Sequence, residues 1–169
     1  MLTRIQSATI GGFEARPIDV EVDSRRGLPG VSIVGLPDAA IRESRDRVIA
    51  AVRNAHYELP MNQFFTINLA PADIRKNGTL YDLPMAIALL QSTGQISIPY
   101  LHDCMILGEL GLGGDVRSVT GVLLMAMLAK EKGVKALVLP EKNVEEARMV
   151  GGLCIIPVNS LAQAIAKLS

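Results

Sequence analysis

The chain has 169 residues, with 17 basic and 17 acidic side chains and no net charge at neutral pH, which excludes a whole-domain field aimed at nucleic acid or anionic membrane. About half is apolar (49%) and a fifth charged (20%), the balance of a soluble globular chain able to bury one proper core. With no tryptophan and 4% aromatics, that core has to be built from Ile, Leu, Val, Ala and Met.

In chain order, residues 2–10 and 15–22 alternate and are partly β-branched, with Gly11-Gly12 between them, and read as a hairpin. Ile18, Val20 and Val22 fall on one face, Asp19, Glu21 and Asp23 on the other. The run Gly27-Leu28-Pro29-Gly30 is a turn, and residues 31–34 form a short third strand that Gly35 stops. Pro37-Asp38 opens a helix reaching about Ala55, its apolar stripe made by Ile41, Val48, Ile49 and Val52. Arg42, Arg45, Asp46 and Arg53 lie off that stripe, as a solvated face with local pairs such as Arg42–Asp46 or as a phosphate or partner surface. Residues 64–69 are a strand. Asp82, with N-cap chemistry, and Pro84 start a second, apolar helix that ends near Gly94.

After a connector over 96–102, residues 105–109 and Val116 flank the turn Gly111-Leu112-Gly113-Gly114-Asp115 as another hairpin. A third helix covers 122–132 and ends at Gly133. Residues 136–139 are a buried strand, 144–150 a short helix, 153–158 a last strand, and 160–168 a closing helix capped by Asn159 or Ser160. Because the chain begins with consecutive strands, α+β fits better than a doubly wound sheet.

The common chemical motifs fail. A Walker A loop needs Gly-Lys for the phosphates, and no Gly-Lys dipeptide occurs. The Rossmann pattern at Gly111-Leu112-Gly113 meets Val116 where the third glycine belongs. His56, after a helix end, and His102, in a connector, stand alone, so no metal site is expected. Cys104 and Cys154 sit in separate apolar runs with no CxxC and are expected to be buried thiols in strands, which points to a reducing, cytoplasmic setting. The first residues lack a signal peptide's apolar region, and no apolar run approaches a membrane span.

Two strand–loop–helix stretches, 64–90 and 107–140, resemble the catalytic core of the Lon-type serine protease domain. In that family the first loop reads Lys-Asp-Gly-Pro-Ser-Ala-Gly with a nucleophilic serine, and the second Gly-Gly-x-x-x-Lys with a lysine base. Here Lys76-Asn77-Gly78-Thr79-Leu80-Tyr81-Asp82 puts Leu80 at the serine position, and Thr120-Gly121-Val122-Leu123-Leu124-Met125 puts Met125 at the lysine position. Neither side chain can attack a carbonyl or take a proton. Thr79 aligns with the proline before the serine and is expected to point elsewhere, which weakens a Thr79–Lys76 pair as substitute. Lys130, five residues after Met125, lies off that helix face.

The whole chain is similar to the N-terminal domain of the ComM/YifB family of magnesium-chelatase-like AAA+ ATPases, through residues 27–48 (GLPGVSIVGLPDAAIRESRDRV), 68–78 (NLAPADIRKNG), 81–90 (YDLPMAIALL) and 108–121 (GELGLGGDVRSVTG). The resemblance implies one domain over residues 1–169 with a Lon-proteolytic-domain-like fold (ribosomal protein S-five domain 2-like), a mixed sheet packed with helices. The recombination ATPase RadA carries another such relative, also with an Asp-Leu pair opening the helix. In the ComM/YifB family an AAA+ module follows, holding ATP and Mg2+; it is expected to lie outside this chain, which itself needs no cofactor. The implied role is that of a non-catalytic assembly domain in an ATP-driven, ring-forming DNA motor, some of whose members promote branch migration during natural transformation. Its partners would be that module, neighbouring subunits and DNA, with no membrane. Candidate contacts are Arg25 and Arg26, Arg42 and Arg45, and Arg75 and Lys76. A degenerate hydrolase and a peptide- or partner-binding adaptor using the old cleft near Leu80 and Met125 are the alternatives.

Overall fold

The computed structural model describes residues 2–169; Met1, part of the expected 1–169 unit, lies outside them. Strands β1 (Thr3–Gly11) and β2 (Glu14–Arg26) form the expected hairpin, turning at Gly12. The alternation in β2 holds: Ile18, Val20 and Val22 are fully buried. On the opposite face Glu21 accepts from Arg4 Nη2 (2.8 Å) and from Asn68 Nδ2 (3.0 Å). The second strand is longer than its hydrophobic pattern. Asp23 to Arg26 carry no apolar signal, but the antiparallel strand β4 (Gln63–Ala70) supplies a ladder as far as Arg26↔Gln63.

Beyond β4 lies β3 (Gly30–Val34), parallel to it, with the crossover made by helix α1 (Ala39–Asn54). At Gly35, φ is +103° and a Cβ would stand 2.2 Å from the Leu69 carbonyl oxygen, so only glycine ends the strand there. Asp38 caps α1, its Oδ1 accepting from Ile41 N at 2.8 Å. The expected Arg42–Asp46 pair does not form. Arg42 Nη1 turns back to the Pro37 carbonyl at 3.5 Å, and Asp46 meets Arg45 instead.

On the other side of β1 the sheet continues in parallel through β5 (Cys104–Ile106), β8 (Ala136–Pro140) and β9 (Ile155–Val158), giving the order β3-β4-β2-β1-β5-β8-β9. The run expected as one strand over 105–109 is split. β5 stays in the sheet, while β6 (Glu109–Leu110) leaves it to pair with β7 (Val116–Arg117). The break is at Gly108, where a Cβ would stand 3.1 Å from Leu83 Cδ2. Gly108 N donates to the Leu80 carbonyl, and Leu83 N donates to the Gly108 carbonyl, both at 2.9 Å. This close approach docks the start of helix α2 (Asp82–Thr93) on the strand end.

α2 is buried at every position from Asp82 to Leu90 and packs against α1, β1, β2 and β6. It has no polar face because no side of it meets water. Helix α3 (Val122–Lys132) packs against β1 and β2, α4 (Val144–Arg148) against α3 and β9, and α5 (Leu161–Leu168) against α2 and β9. Ser160, not Asn159, caps α5, with Oγ accepting from Gln163 N at 3.0 Å. The expected mixed sheet packed with helices is found, and because the second half alternates helix and strand the architecture is mixed α/β rather than the α+β read from the mixed elements and consecutive opening strands. Cys104 is buried as expected, but Cys154 is exposed, because β9 begins one residue later on the sheet's edge. No helix among the described residues is long and apolar enough to cross a membrane.

Candidate functional site

The loop after β4 and the residue run before α3 meet in one cleft of about 230 Å³, lined by Asn77, Thr79, Leu80, Glu109, Ser118, Thr120 and Met125 among others. The fold thus brings Leu80 and Met125 together from positions far apart in sequence. Leu80 precedes α2, whose docking on Gly108 fixes it, and is 7% exposed; Met125 sits in the second turn of α3, fully buried. Gly121, at φ +84°, starts that helix, and the Met125 methyl lies 3.6 Å from where a Cβ at Gly121 would stand. The two side chains place apolar surface on the cleft wall, where no proton can be exchanged.

Thr79 does not point away from the cleft. Its Oγ1 donates to Glu109 Oε2 at 2.5 Å, and Arg117 Nη1 stands 4.0 Å from the other carboxylate oxygen. Glu109 is a lining residue that motif reading missed; its only signal was a single acid in the apolar run over 105–110. Lys76, the other half of the considered Thr79–Lys76 pair, is turned the other way. It is fully buried, and its Nζ donates to the Gly35 carbonyl (2.8 Å) and to that of Pro71. Burial away from water pushes its pKa down, with Asp73 opposing. Lys76 is therefore corrected from a surface contact to an internal clamp: its backbone bridges to Pro37, and Gly78 N donates to Asp38 Oδ2 at 3.1 Å.

Asp82 is likewise corrected. The residue before α2 is Tyr81, no side chain caps that helix, and Asp82 is fully buried in the first turn. Its carboxylate accepts from Arg47 Nε (2.9 Å), Arg47 Nη2 (3.2 Å) and Leu110 N (3.1 Å). Arg47 Nη2 also reaches Ser44 Oγ (2.9 Å) and the Ala40 carbonyl (3.1 Å). Burial lifts the Asp82 carboxyl above its usual range while Arg47, Ser44 and the Leu110 amide pull it back; the bond to Asp82 in turn raises Arg47. Arg47 was invisible as a site residue because it reads as one more charge on α1. The signal available was Ser44, a polar residue one turn from Ile41 and Val48 on the buried stripe.

The remaining arginine candidates split into two groups. Arg25 and Arg26, both exposed, stand beside the first residues of β4, with the Arg25 guanidinium 5.1 Å from the Phe64 ring centroid. Arg75 is exposed in the loop that follows the last residue of β4, and Arg42 and Arg45 are exposed in the first turns of α1, which that loop touches. A strand of this length holds the two groups roughly 24 Å apart, so they do not make one patch. Among the described residues no group of three or more His, Cys, Asp or Glu is placed to hold a metal ion. His56 and His102 are both exposed.

The model of the family described as subunit ChlI of Mg-chelatase matches residues 20–143. An uncharacterized protein of Mycobacterium tuberculosis is 42% identical over 96% of this chain and 32% of its own length. The uncharacterized protein YifB of Escherichia coli is 43% identical over 86% of the chain and 28% of its own length. Competence protein ComM of Haemophilus influenzae is 37% identical over 88% and 29%. The chain thus spans about a third of the length of these relatives. Weaker likenesses extend to the DNA repair protein RadA of Pseudomonas aeruginosa, 27% identical over 99% of the chain and 38% of RadA, and to the archaeal Lon protease of Methanocaldococcus jannaschii, 32% identical over 47% of the chain and 12% of Lon.

Proposed function

Starting from the chain's membership of the Mg-chelatase ChlI-subunit family, we propose that it is the non-catalytic, Lon-like N-terminal assembly and interaction domain of a larger AAA+ ATPase that processes DNA. The observation that carries this reading is the cleft. Two strand–loop–helix stretches line it, and the positions that the Lon-type resemblance would give to nucleophile and base hold Leu80 and Met125, both buried. The nearby hydroxyl of Thr79 is bonded to a carboxylate, and the nearby amine of Lys76 is tied to backbone carbonyls elsewhere. A carboxylate is a far weaker base than the amine of a Ser–Lys dyad, so the hydroxyl that Glu109 holds is a poor nucleophile. The names competence protein and DNA repair protein, borne by ComM and RadA, support a DNA-handling context. ATP and Mg2+ would be held by a module outside residues 1–169, in a cytoplasmic ring of subunits, and no step of that chemistry falls to the residues described above.

DNA contact is assigned to Arg42, Arg45 and Arg75, the arginines that share the α1 end of the molecule. Binding to a duplex, measured on the chain over a salt series, is expected to weaken steeply with salt. Arg42→Ala with Arg75→Ala should reduce the log–log slope by about 0.9 for each phosphate that is no longer neutralised. An unchanged slope and affinity in the double variant would remove DNA contact from this surface. Arg25→Ala with Arg26→Ala serves as the comparison at the far end of β4 and is expected to change the slope less.

A further inference from the structure

The two edges of the seven-stranded sheet are not alike. At β9, Leu137 N donates to the Cys154 carbonyl at 2.8 Å, so the alternation of the ladder turns positions 155 and 157 outward. Position 157 is a proline, which has no N–H to offer, and its carbonyl already accepts from Lys167 Nζ at 2.6 Å. A proline and a lysine on the outer side are the means by which edge strands are kept from adding another strand. At the opposite edge, β3 reads Gly30-Val31-Ser32-Ile33-Val34, with neither charge nor proline. β4 is its sole strand partner among the described residues. Large apolar side chains are exposed along and around it: Val34 at 44%, Leu36 at 55% and Leu28 at 87%.

We propose that β3 is a docking edge for a second copy of this chain, the two β3 strands pairing antiparallel about a two-fold axis at Ser32. The occupant follows from the strand's self-complementarity. In this register Val31 stands opposite Ile33 of the second copy, both on the face that carries Phe65 and Ile67. Ser32 meets its own mate on the other, polar face. Gly30, over which the Phe64 ring already lies, stands opposite Val34 of the second copy. Beyond Val34 the chain leaves the ladder, with φ at +103° in Gly35 and +54° in Leu36, so the pairing is confined to residues 30–34. A contact of this kind is isologous and closes at two copies, whereas a ring needs head-to-tail contacts. The β3 dimer is therefore independent of the motor reading and survives its failure.

Sedimentation equilibrium of the chain is expected to show a concentration-dependent dimer. Ser32→Asp sets two like charges facing each other on the axis and is expected to raise the dimer Kd about fivefold or more; Ser32→Thr is expected to keep the dimer. Register is read directly with Ser32→Cys in a Cys154→Ser background. Directly opposed residues have Cα atoms about 4.5–5.5 Å apart, within the span of roughly 4.4–6.8 Å that a disulfide bridges. Mild oxidation should give the covalent dimer well ahead of an exposed control, Glu141→Cys in the same background. The cross-link decides the matter even if the aspartate variant is poorly folded. A chain that stays monomeric with cross-linking no faster than the control overturns the proposal. A dimer that cross-links no faster at position 32 overturns it too, because the contact then lies on another face. Capture of an unrelated extended peptide along β3 by a chain that stays monomeric would replace the second copy with that occupant.

Discussion

Tyr81 is fully buried, directly between Leu80 of the cleft and Asp82 of the ion pair. Its hydroxyl has no well-aligned partner, and neither has Thr9 Oγ1, although Thr9 is close enough to favour the ionised phenol slightly. Burial dominates and pushes the Tyr81 pKa up to about 12, from an ordinary value of 10.0. An acid whose folded pKa is raised binds its proton more tightly in the folded state, so its contribution is whole below the unfolded value and is lost as pH rises toward the folded one. Stability should therefore fall between pH 10 and about 12 by roughly 2–3 kcal/mol from this residue. Tyr81→Phe removes an unsatisfied hydroxyl and should cost under about 1 kcal/mol at neutral pH while flattening the alkaline fall. Urea melts of both proteins across that range check the point; parallel alkaline limbs would show that Tyr81 is not the titrating group.

Among the elements, α1 and α2 are joined by the one bond network that a sequence pattern does not announce. Asp82 accepts three N–H groups from two different elements, and Arg47 keeps about a fifth of its side chain exposed. Removing one partner of a buried pair costs about 3–5 kcal/mol, and the partial exposure of Arg47 puts Asp82→Ala near the lower end. Replacing both, as Arg47→Met with Asp82→Leu, should recover most of that loss, since a hydrophobic pair of similar volume needs no desolvation. A double-mutant cycle by urea denaturation reads the coupling; an Asp82→Ala loss below about 1 kcal/mol would mean that solvent already screens the pair. Lys76 works at the same scale, holding the loop after β4 against the turn after β3 through the carbonyls of Pro71 and Gly35. It thereby sets where Asn77 and Thr79 enter the cleft.

For the molecule as a whole, the sheet is the frame and α2 its most enclosed helix, buried from Asp82 to Leu90 between α1, the β1–β2 hairpin and α5. Amides that open only on global unfolding should be those of α2 and of β2 and β1 at the centre of the sheet, while α1, with one charged face in solvent, opens earlier. Native-state hydrogen exchange tests this. Exchange of the α2 amides ahead of those of α1 would show that the enclosed helix is not part of the most stable unit. Much of this was legible in the chain: the hairpin, the apolar second helix and the Gly35 stop follow from local pattern, and the meeting of Leu80 with Met125 is what the resemblance to the Lon-type domain implied. Local chemistry alone also singled out Asp82 and Lys76, but it gave them the wrong tasks, because a carboxylate before a helix and a lysine in a polar loop look the same whether or not something buries them. Charge, composition and period set which segments become strands and helices and which faces seek the core. The partner of Asp82, the inward turn of Lys76, the carboxylate on Thr79 and the difference between the two sheet edges depend on which distant segments pack together, and only the tertiary structure decides that, since burial and hydrogen-bond geometry are properties of the assembled neighbours.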